Sequence, residues 1–263
     1  MSRIEKIFET LNRPALITFI TAGDPDRDQS LAVLKSLPGA GADIIELGMP
    51  FTDPAADGPA IQHASERALA AGANMAQTLE MVREFRKNND ETPLVLMGYA
   101  NPLFVYGFDN FAKDAADAGV DGLIIVDLPP EEDADLRAAA QSQNIDLIRL
   151  ITPTTDEARL EKLLEGASGF LYYVSITGVT GTAQADIGAI RPHIEHIKTR
   201  TPLPVAIGFG VKTPQDAKNM AKIADGVVVG SAIVQNMAKG LAQDTLVETI
   251  ETQVKALSKA LND

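Results

Sequence analysis

The chain has 263 residues, of which 45% are hydrophobic, and its formal net charge is −13. The length and apolar content are enough for one large α/β domain with an aliphatic core, so we interpret residues 1–263 as a single domain. The negative charge disfavours a nucleic-acid partner, and the absence of cysteine excludes disulfides and thiolate metal sites.

The N-terminus lacks the apolar stretch of a signal peptide. No apolar run in the chain approaches the roughly 20 residues that a membrane-spanning helix needs. We therefore expect a cytoplasmic protein with no membrane segment.

Eight short apolar segments recur along the chain, with helical stretches between them, and we predict a strand in each. The segments are continuous rather than alternating, which is typical of parallel strands covered by helices on both faces. The predicted strands span residues 15–21, 43–47, 94–99, 122–126, 146–151, 170–175, 205–209 and 226–229.

Helices are predicted from apolar spacing and from capping residues. Ile4, Ile7, Phe8 and Leu11 fall on one face of an N-terminal helix. A second apolar face near the C-terminus is formed by Leu246, Ile250, Val254, Leu257 and Leu261. Thr213, Pro214 and Asp216 are typical of a capped helix start.

A short unit occurs three times, at residues 40–45, 118–124 and 223–228, and it combines a helix end, a tight turn, an aspartate and a buried strand. This is the joint expected between a helix and the next strand of a wound α/β protein. Eight strands favour closure into a single (β/α)8 TIM barrel with an extra N-terminal helix. The alternative is an open doubly wound sheet.

In such a barrel the functional residues lie where strands end. Glu46 interrupts the apolar run of the second predicted strand, and a carboxylate there indicates proton transfer, with a structural ion pair or hydrogen bond as the alternative. Asp57 follows in a loop rich in proline and glycine. Asp57, Gly58 and Pro59 are equally typical of a turn that starts a helix, so catalysis and turn formation both stay open for Asp57.

Glycine-rich segments follow three late strands, at residues 177–182, 208–210 and 230–232. Barrels often bind a phosphate through such loops and a helix N-terminus, where backbone N–H groups converge. On an acidic chain the three segments together indicate a phosphate site. We further expect residues 177–188 to form a lid, because they hold small polar residues and little that is apolar.

Other chemistries are disfavoured by what the sequence lacks. None of the 12 lysines falls inside a predicted strand, which makes a strand-borne Schiff base improbable. His63, His193 and His196 lie in helical stretches, so we expect no transition-metal site. Acid–base chemistry by carboxyl groups on a phosphorylated small molecule is what remains.

Residues 45–59, which read IELGMPFTDPAADGP, closely resemble the signature of the tryptophan synthase alpha subunit family. The resemblance continues in family order through residues 21–25, 99–102, 178–181, 208–211 and 230–234, and so spans nearly the whole chain. One departure is that Ile176 follows Ser175, where several bacterial members have an arginine.

The resemblance implies a lyase of tryptophan biosynthesis that splits indole-3-glycerol phosphate, by a retro-aldol reaction, into indole and glyceraldehyde 3-phosphate. Glu46 matches the family's general acid/base, and Asp57 matches the acid beside the indole N–H. Phosphate-binding positions carry over to Gly181, Phe209, Gly210, Gly230 and Ser231. Positions around the indole and its side chain carry over to Phe19, Met97, Tyr99, Ile124, Tyr172 and Thr180.

The resemblance also implies an allosteric α2β2 heterotetramer, in which the beta subunit carries pyridoxal phosphate and this chain carries no cofactor. Residues 52–57 and 99–108 match regions that face the partner, among them Asp53, Pro54 and Asn101. Three alternatives are a stand-alone lyase that releases free indole, a sugar-phosphate isomerase or epimerase on the same barrel, and a catalytically idle regulatory subunit.

Overall fold

The computed structural model describes residues 1–174, 187–208, 210–242 and 244–262. Three predicted site residues, Thr180, Gly181 and Phe209, and most of the predicted lid lie outside the described residues.

The strands are all parallel and, within the described chain, form one sheet. They are β1 (Ala15–Thr21), β2 (Ile44–Gly48), β3 (Leu94–Gly98), β4 (Gly122–Ile125), β5 (Asp146–Leu147), β6 (Arg149–Ile151), β7 (Leu171–Val174), β8 (Val205–Gly208) and β9 (Gly226–Val229).

Helices lie at both ends of the chain and between successive strands, except between β5 and β6. They are α1 (Arg3–Thr10), α2 (Arg27–Ala40), α3 (Pro59–Ala70), α4 (Met75–Arg86), α5 (Ala100–Tyr106), α6 (Phe108–Ala118), α7 (Ala134–Ser142), α8 (Glu157–Leu164), α9 (Ile187–Arg200), α10 (Pro214–Met220), α11 (Ser231–Ala242) and α12 (Leu246–Asn262).

The fifth predicted strand, residues 146–151, is divided in two at Ile148. β5 pairs with β4, whereas β6 pairs with β7, so the two halves of one segment bond to opposite neighbours. The N–H of Ile148 still donates to the carbonyl of Leu123, at 2.9 Å. Because this segment joins the two ends of the strand order, the sheet closes on itself. The predicted barrel is confirmed, and the open doubly wound sheet is wrong.

The extra N-terminal helix covers the end of the barrel where the strands begin. Ser2 and Glu5 form a capping box that starts α1. Ile4 is fully buried in the cluster inside the barrel, and the ring of Phe8 lies 5.8 Å from that of Phe170. The helix ends at Thr10, so Leu11 caps it rather than belonging to it, although Leu11 still packs on the same cluster.

The aspartate of each repeated unit stands where a strand begins and accepts a backbone N–H from a strand beside it. These bonds join Asp43 to Leu16 (2.7 Å), Asp121 to Leu94 (2.7 Å) and Asp225 to Val205 (2.8 Å). Each carboxylate also pairs with a basic side chain, from Arg13, Arg86 and Lys198 respectively. The repeats therefore link neighbouring strands by hydrogen bonds at the end of the barrel where the strands begin, away from the predicted site.

Candidate active site

A cavity of about 230 Å³ opens at the carboxyl ends of the strands. Glu46 enters it from β2, Tyr172 from β7 and Asp57 from the loop after β2, while Gly230 and Ser231 line it at the start of α11. The structure thus brings together side chains that are far apart in the sequence. This is the end of the barrel at which functional residues are expected.

Glu46 is the most buried of the ionisable groups on this cavity. Its side chain is 0% exposed, and neither carboxyl oxygen has a hydrogen-bond partner among the described residues. Burial in these surroundings raises the pKa of Glu46 from 4.5 to about 8, because the charged form loses its hydration without gaining a partner. No ion pair or hydrogen bond of the Glu46 carboxyl group is found in the described part of the chain, so a structural role as an ion-pair or hydrogen-bond partner has no support there.

Asp57 is held at the mouth of the cavity by its own loop. Its N–H donates to the carbonyl of Pro54 (3.0 Å), and its carbonyl accepts from the side-chain amide of Gln62 (2.8 Å). Burial raises the pKa of Asp57 to about 6, although a hydrogen bond from Tyr99 opposes the shift. The turn predicted here is present, since α3 begins at Pro59 with Gly58 as its N-cap. Asp57 therefore belongs to the turn that precedes α3 and also lines the cavity.

Tyr99 contacts the site through Asp57 and does not line the main cavity. It is the N-cap residue of α5, and its hydroxyl donates to Asp57 Oδ2 at 3.0 Å while accepting the N–H of Ala56, also at 3.0 Å. The Tyr99 ring packs on Phe51, with ring centres 5.2 Å apart. Burial and the nearby Asp57 raise the pKa of Tyr99, so its hydroxyl keeps its proton and acts as a donor.

The indole-side residues predicted from the resemblance divide into two groups. Phe19, Met97 and Tyr172 line the cavity. Tyr99 and Ile124 do not, and Ile124 is fully buried in the cluster inside the barrel. Five apolar residues that the sequence analysis missed also line the cavity, and they are Ile61, Val126, Leu150, Val174 and Val228.

Tyr172 lies directly against Gly208 of the neighbouring strand. A Cβ atom added to Gly208 would stand 2.1 Å from the Tyr172 hydroxyl oxygen, so only glycine leaves room for this ring. Burial and the nearby Glu46 and Asp57 raise the pKa of Tyr172 well above its ordinary value. The phenol therefore stays neutral beside the two acids.

The same cavity carries two of the predicted phosphate-binding glycines. Gly210 and Gly230 both line it, and Gly210 has a φ of +81°, which favours glycine. Ser231 and Ala232, the first residues of α11, also line this cavity. First-turn N–H groups of a helix attract anions. Lys212 also lines the cavity. The sequence analysis did not predict this, because Lys212 lies just outside the glycine-rich segment 208–210.

The predicted interface residues lie outside the cavity on the same end of the barrel. Asp53 and Asn101 are exposed, and Pro54 is half-buried. On α5, Phe104 and Val105 are 71% and 78% exposed, and with Met1 they are the large apolar residues that are exposed in the described part of the chain. An exposed apolar patch of this kind is typical of an interaction surface.

The described residues contain no cluster of histidine, aspartate and glutamate able to hold a metal ion. The three histidines lie on α3 and α9, as predicted, and His196 contacts Glu157. None of the described helices is long and apolar enough to cross a membrane.

Comparison with known proteins gives the family. The model for "Tryptophan synthase alpha chain" matches residues 7–262. The chain belongs to the tryptophan synthase alpha chain family. Such alpha chains are lyase enzymes of tryptophan biosynthesis, so an isomerase or epimerase on this barrel is not supported.

Solved structures agree with this membership. The tryptophan synthase alpha subunit of Legionella pneumophila str. Paris is 38% identical, with a TM-score of 0.93 over 100% of this chain and 99% of that one. A structure from Aquifex aeolicus VF5 is 36% identical, with a TM-score of 0.90 over 99% of each chain. Tryptophan synthase from M. tuberculosis, in its aminoacrylate-bound form, is 34% identical, with a TM-score of 0.89 over 99% of this chain and 100% of that one.

Proposed function

We propose that this chain carries out the alpha reaction of tryptophan synthase, the retro-aldol cleavage of indole-3-glycerol phosphate into indole and glyceraldehyde 3-phosphate. The observation that carries the proposal is the pairing of Glu46 and Asp57 on one cavity, with pKa values of about 8 and about 6, in a member of this family. Two acids whose surroundings separate their pKa values can take different proton-handling roles.

Near neutral pH, Glu46 is protonated and starts the reaction as an acid. It donates its proton to C3 of the indole ring, and the ring nitrogen becomes positively charged. The resulting Glu46 carboxylate then accepts the proton of the side-chain hydroxyl next to the ring. As the carbon–carbon bond breaks, its electrons return to the ring to form indole, and the hydroxyl carbon becomes the aldehyde. Glu46 ends protonated, as it began.

Asp57 is mostly ionised at the same pH and stabilises the positive ring nitrogen. The charge on that nitrogen develops only after C3 is protonated, so a carboxylate beside it lowers the energy of the transition state more than that of the substrate. The hydrogen bond from Tyr99 keeps the Asp57 carboxylate oriented. These two acids account for the proton transfers, and we propose that the chain needs no cofactor of its own.

Gly210, Gly230 and Ser231 are proposed to hold the substrate phosphate, together with Gly181 and Phe209, which lie outside the described residues. The apolar side chains that line the same cavity, among them Phe19 and Met97, suit the indole ring and its side chain. An idle regulatory subunit would not need two acids with separated pKa values on a substrate-sized cavity. Family membership does not favour a stand-alone lyase that releases free indole.

The proposal is tested by mixing the purified chain with indole-3-glycerol phosphate and measuring indole and glyceraldehyde 3-phosphate. We expect both products in equal amounts, and we expect Glu46→Gln to lose about 10²–10⁴-fold in turnover because it cannot transfer the proton. Glu9→Gln, on the exposed face of α1, is the matched control. Absence of indole with the unmodified chain and its beta partner, or near-normal turnover by Glu46→Gln, contradicts the proposal.

We further propose that the chain works as part of an α2β2 complex in the cytoplasm, with pyridoxal phosphate in the beta subunit. Asp53, Pro54 and Asn101 would face the beta chain together with exposed Phe104 and Val105. Replacing Phe104 and Val105 with serine should weaken binding of the cognate beta chain without lowering the melting temperature of the isolated chain. Unchanged affinity in calorimetry would exclude this patch from the interface.

A further inference from the structure

The lining of the cavity includes a charged side chain that the sequence analysis did not assign to the phosphate site. Lys212 follows Gly210 and Val211 after β8 and lines the same cavity as Gly230 and Ser231. Among the described residues that line this cavity, Lys212 is the one cation, whereas Glu46 and Asp57 are acids. The chain as a whole carries a net charge of −13.

The backbone of Lys212 is fixed on both sides. Val211 is buried in the core between strands and helices. The N–H groups of Lys212 and Thr213 both donate to Asp216 Oδ2, at 3.2 and 2.9 Å, and the Thr213 hydroxyl accepts the N–H of Asp216 in return. This capping box starts α10 and holds the Cα of Lys212 at the rim of the cavity.

The charges of the cavity favour a cation beside a bound phosphate. A phosphate monoester carries nearly two negative charges at neutral pH, and the ionised Asp57 adds another to the same cavity. Backbone N–H groups at the start of α11 contribute only about half a positive charge. An ammonium group at the phosphate offsets the remaining charge, and its effect is largest in a partly enclosed site.

We propose that the Lys212 ammonium is a ligand of the substrate phosphate and sets the preference of this site for a phosphorylated side chain. The inference rests on the proposed function and adds a side-chain cation to the backbone groups of the phosphate site. Lys212 binds the phosphate without taking part in proton transfer, so it contributes to substrate affinity more than to turnover.

The test compares Lys212→Gln and Lys212→Arg with Lys218→Gln, which changes the net charge equally on α10 but does not line the cavity. Calorimetry measures the affinity for glycerol 3-phosphate and, separately, for indole-3-propanol, which has no phosphate. Lys212→Gln should weaken glycerol 3-phosphate about 10-fold or more, the scale of one lost hydrogen bond to a charged group, and leave indole-3-propanol within about twofold. Lys212→Arg should retain most of the affinity, and Lys218→Gln should retain all of it.

Steady-state kinetics with indole-3-glycerol phosphate give a second readout. We expect Lys212→Gln to raise KM by a similar factor while kcat falls by less than about threefold. Unchanged glycerol 3-phosphate affinity in Lys212→Gln, or an equal loss for indole-3-propanol, overturns the inference. Failure of the unmodified chain and its beta partner to release indole would instead defeat the proposed function, so the two failures are distinguishable.

Discussion

The hydroxyl of Tyr99 donates a 3.0 Å hydrogen bond to Asp57 Oδ2 and joins the N-cap residue of α5 to the loop that carries the second acid. The same hydroxyl accepts the N–H of Ala56, so it holds both the side chain and the backbone of that loop. Because α5 also exposes Phe104 and Val105, a protein that binds this face can alter the position of Asp57 through a single residue.

Replacing Tyr99 with phenylalanine removes a hydrogen bond that stabilises the Asp57 carboxylate, so the pKa of Asp57 should rise further above about 6. The acid limb of the kcat/KM profile should move to higher pH by about one unit, the scale of one hydrogen bond to a charged group. Tyr106→Phe is the control, since that hydroxyl bonds to Asp114 instead. An acid limb that stays in place in Tyr99→Phe would show that the bond does not act on Asp57.

Burial of Glu46 without a partner should cost stability at alkaline pH. Its pKa is about 8 in the folded chain against 4.5 for the ordinary group, so the folded state favours the protonated form. The associated stability is fully present below pH 4.5 and is lost as the pH rises through about 8. Glu46→Gln, which stays neutral, should therefore be more stable than the unmodified chain at pH 9, by roughly 3 to 5 kcal/mol.

Urea unfolding at pH 5 and pH 9 measures this difference, with Glu9→Gln as the control. The advantage of Glu46→Gln should appear at pH 9 and be small at pH 5. An equal effect at both pH values would mean that Glu46 is not held neutral by burial.

Gly208→Ala should disrupt the site by displacing Tyr172, since the new Cβ would stand 2.1 Å from its hydroxyl oxygen. We expect a loss of about 1 to 3 kcal/mol in the free energy of unfolding and a lower kcat/KM. The double variant Gly208→Ala, Tyr172→Leu should recover part of the stability, because leucine removes the atoms that collide.

Gly39→Ala on α2 is the matched control for this substitution. No atom lies within 4 Å of the added Cβ there, so the change should stabilise the helix by up to about 1 kcal/mol. If Gly208→Ala were as stable as the unmodified chain, the close packing of Tyr172 on Gly208 would not require glycine at this position.

Most of the fold was predictable because burial on both faces of parallel strands leaves continuous apolar runs. Seven of the eight predicted strands overlap a single observed strand, and residues 146–151 contain two. That division could not be read from the sequence, because it depends on which neighbour each half of the segment bonds to. Apolar spacing likewise could not show whether Ile124 faces the cavity or the interior below it.

The candidate site was predictable where a polar residue interrupts an apolar strand, as Glu46 does, and where a glycine indicates a turn, as Gly210 does. Lys212 was missed because a lysine beside a capped helix is ordinary in sequence and its place on the cavity is set by the barrel. The pKa values of Glu46 and Asp57 depend on burial in the folded chain and could not come from residue type alone. The catalytic and binding roles assigned to these residues stay predictions, as does the single-domain organisation of residues 1–263.

The pH dependence of kcat/KM for cleavage of indole-3-glycerol phosphate tests the central claim most directly, because it reports ionisations of the free enzyme. The account predicts a bell, with activity rising through about pH 6 as Asp57 ionises and falling through about pH 8 as Glu46 loses its proton. The profile is measured for the chain alone and with its cognate beta chain. A profile that keeps rising through pH 8 would contradict the account, because Glu46 would then have to be ionised before the reaction begins.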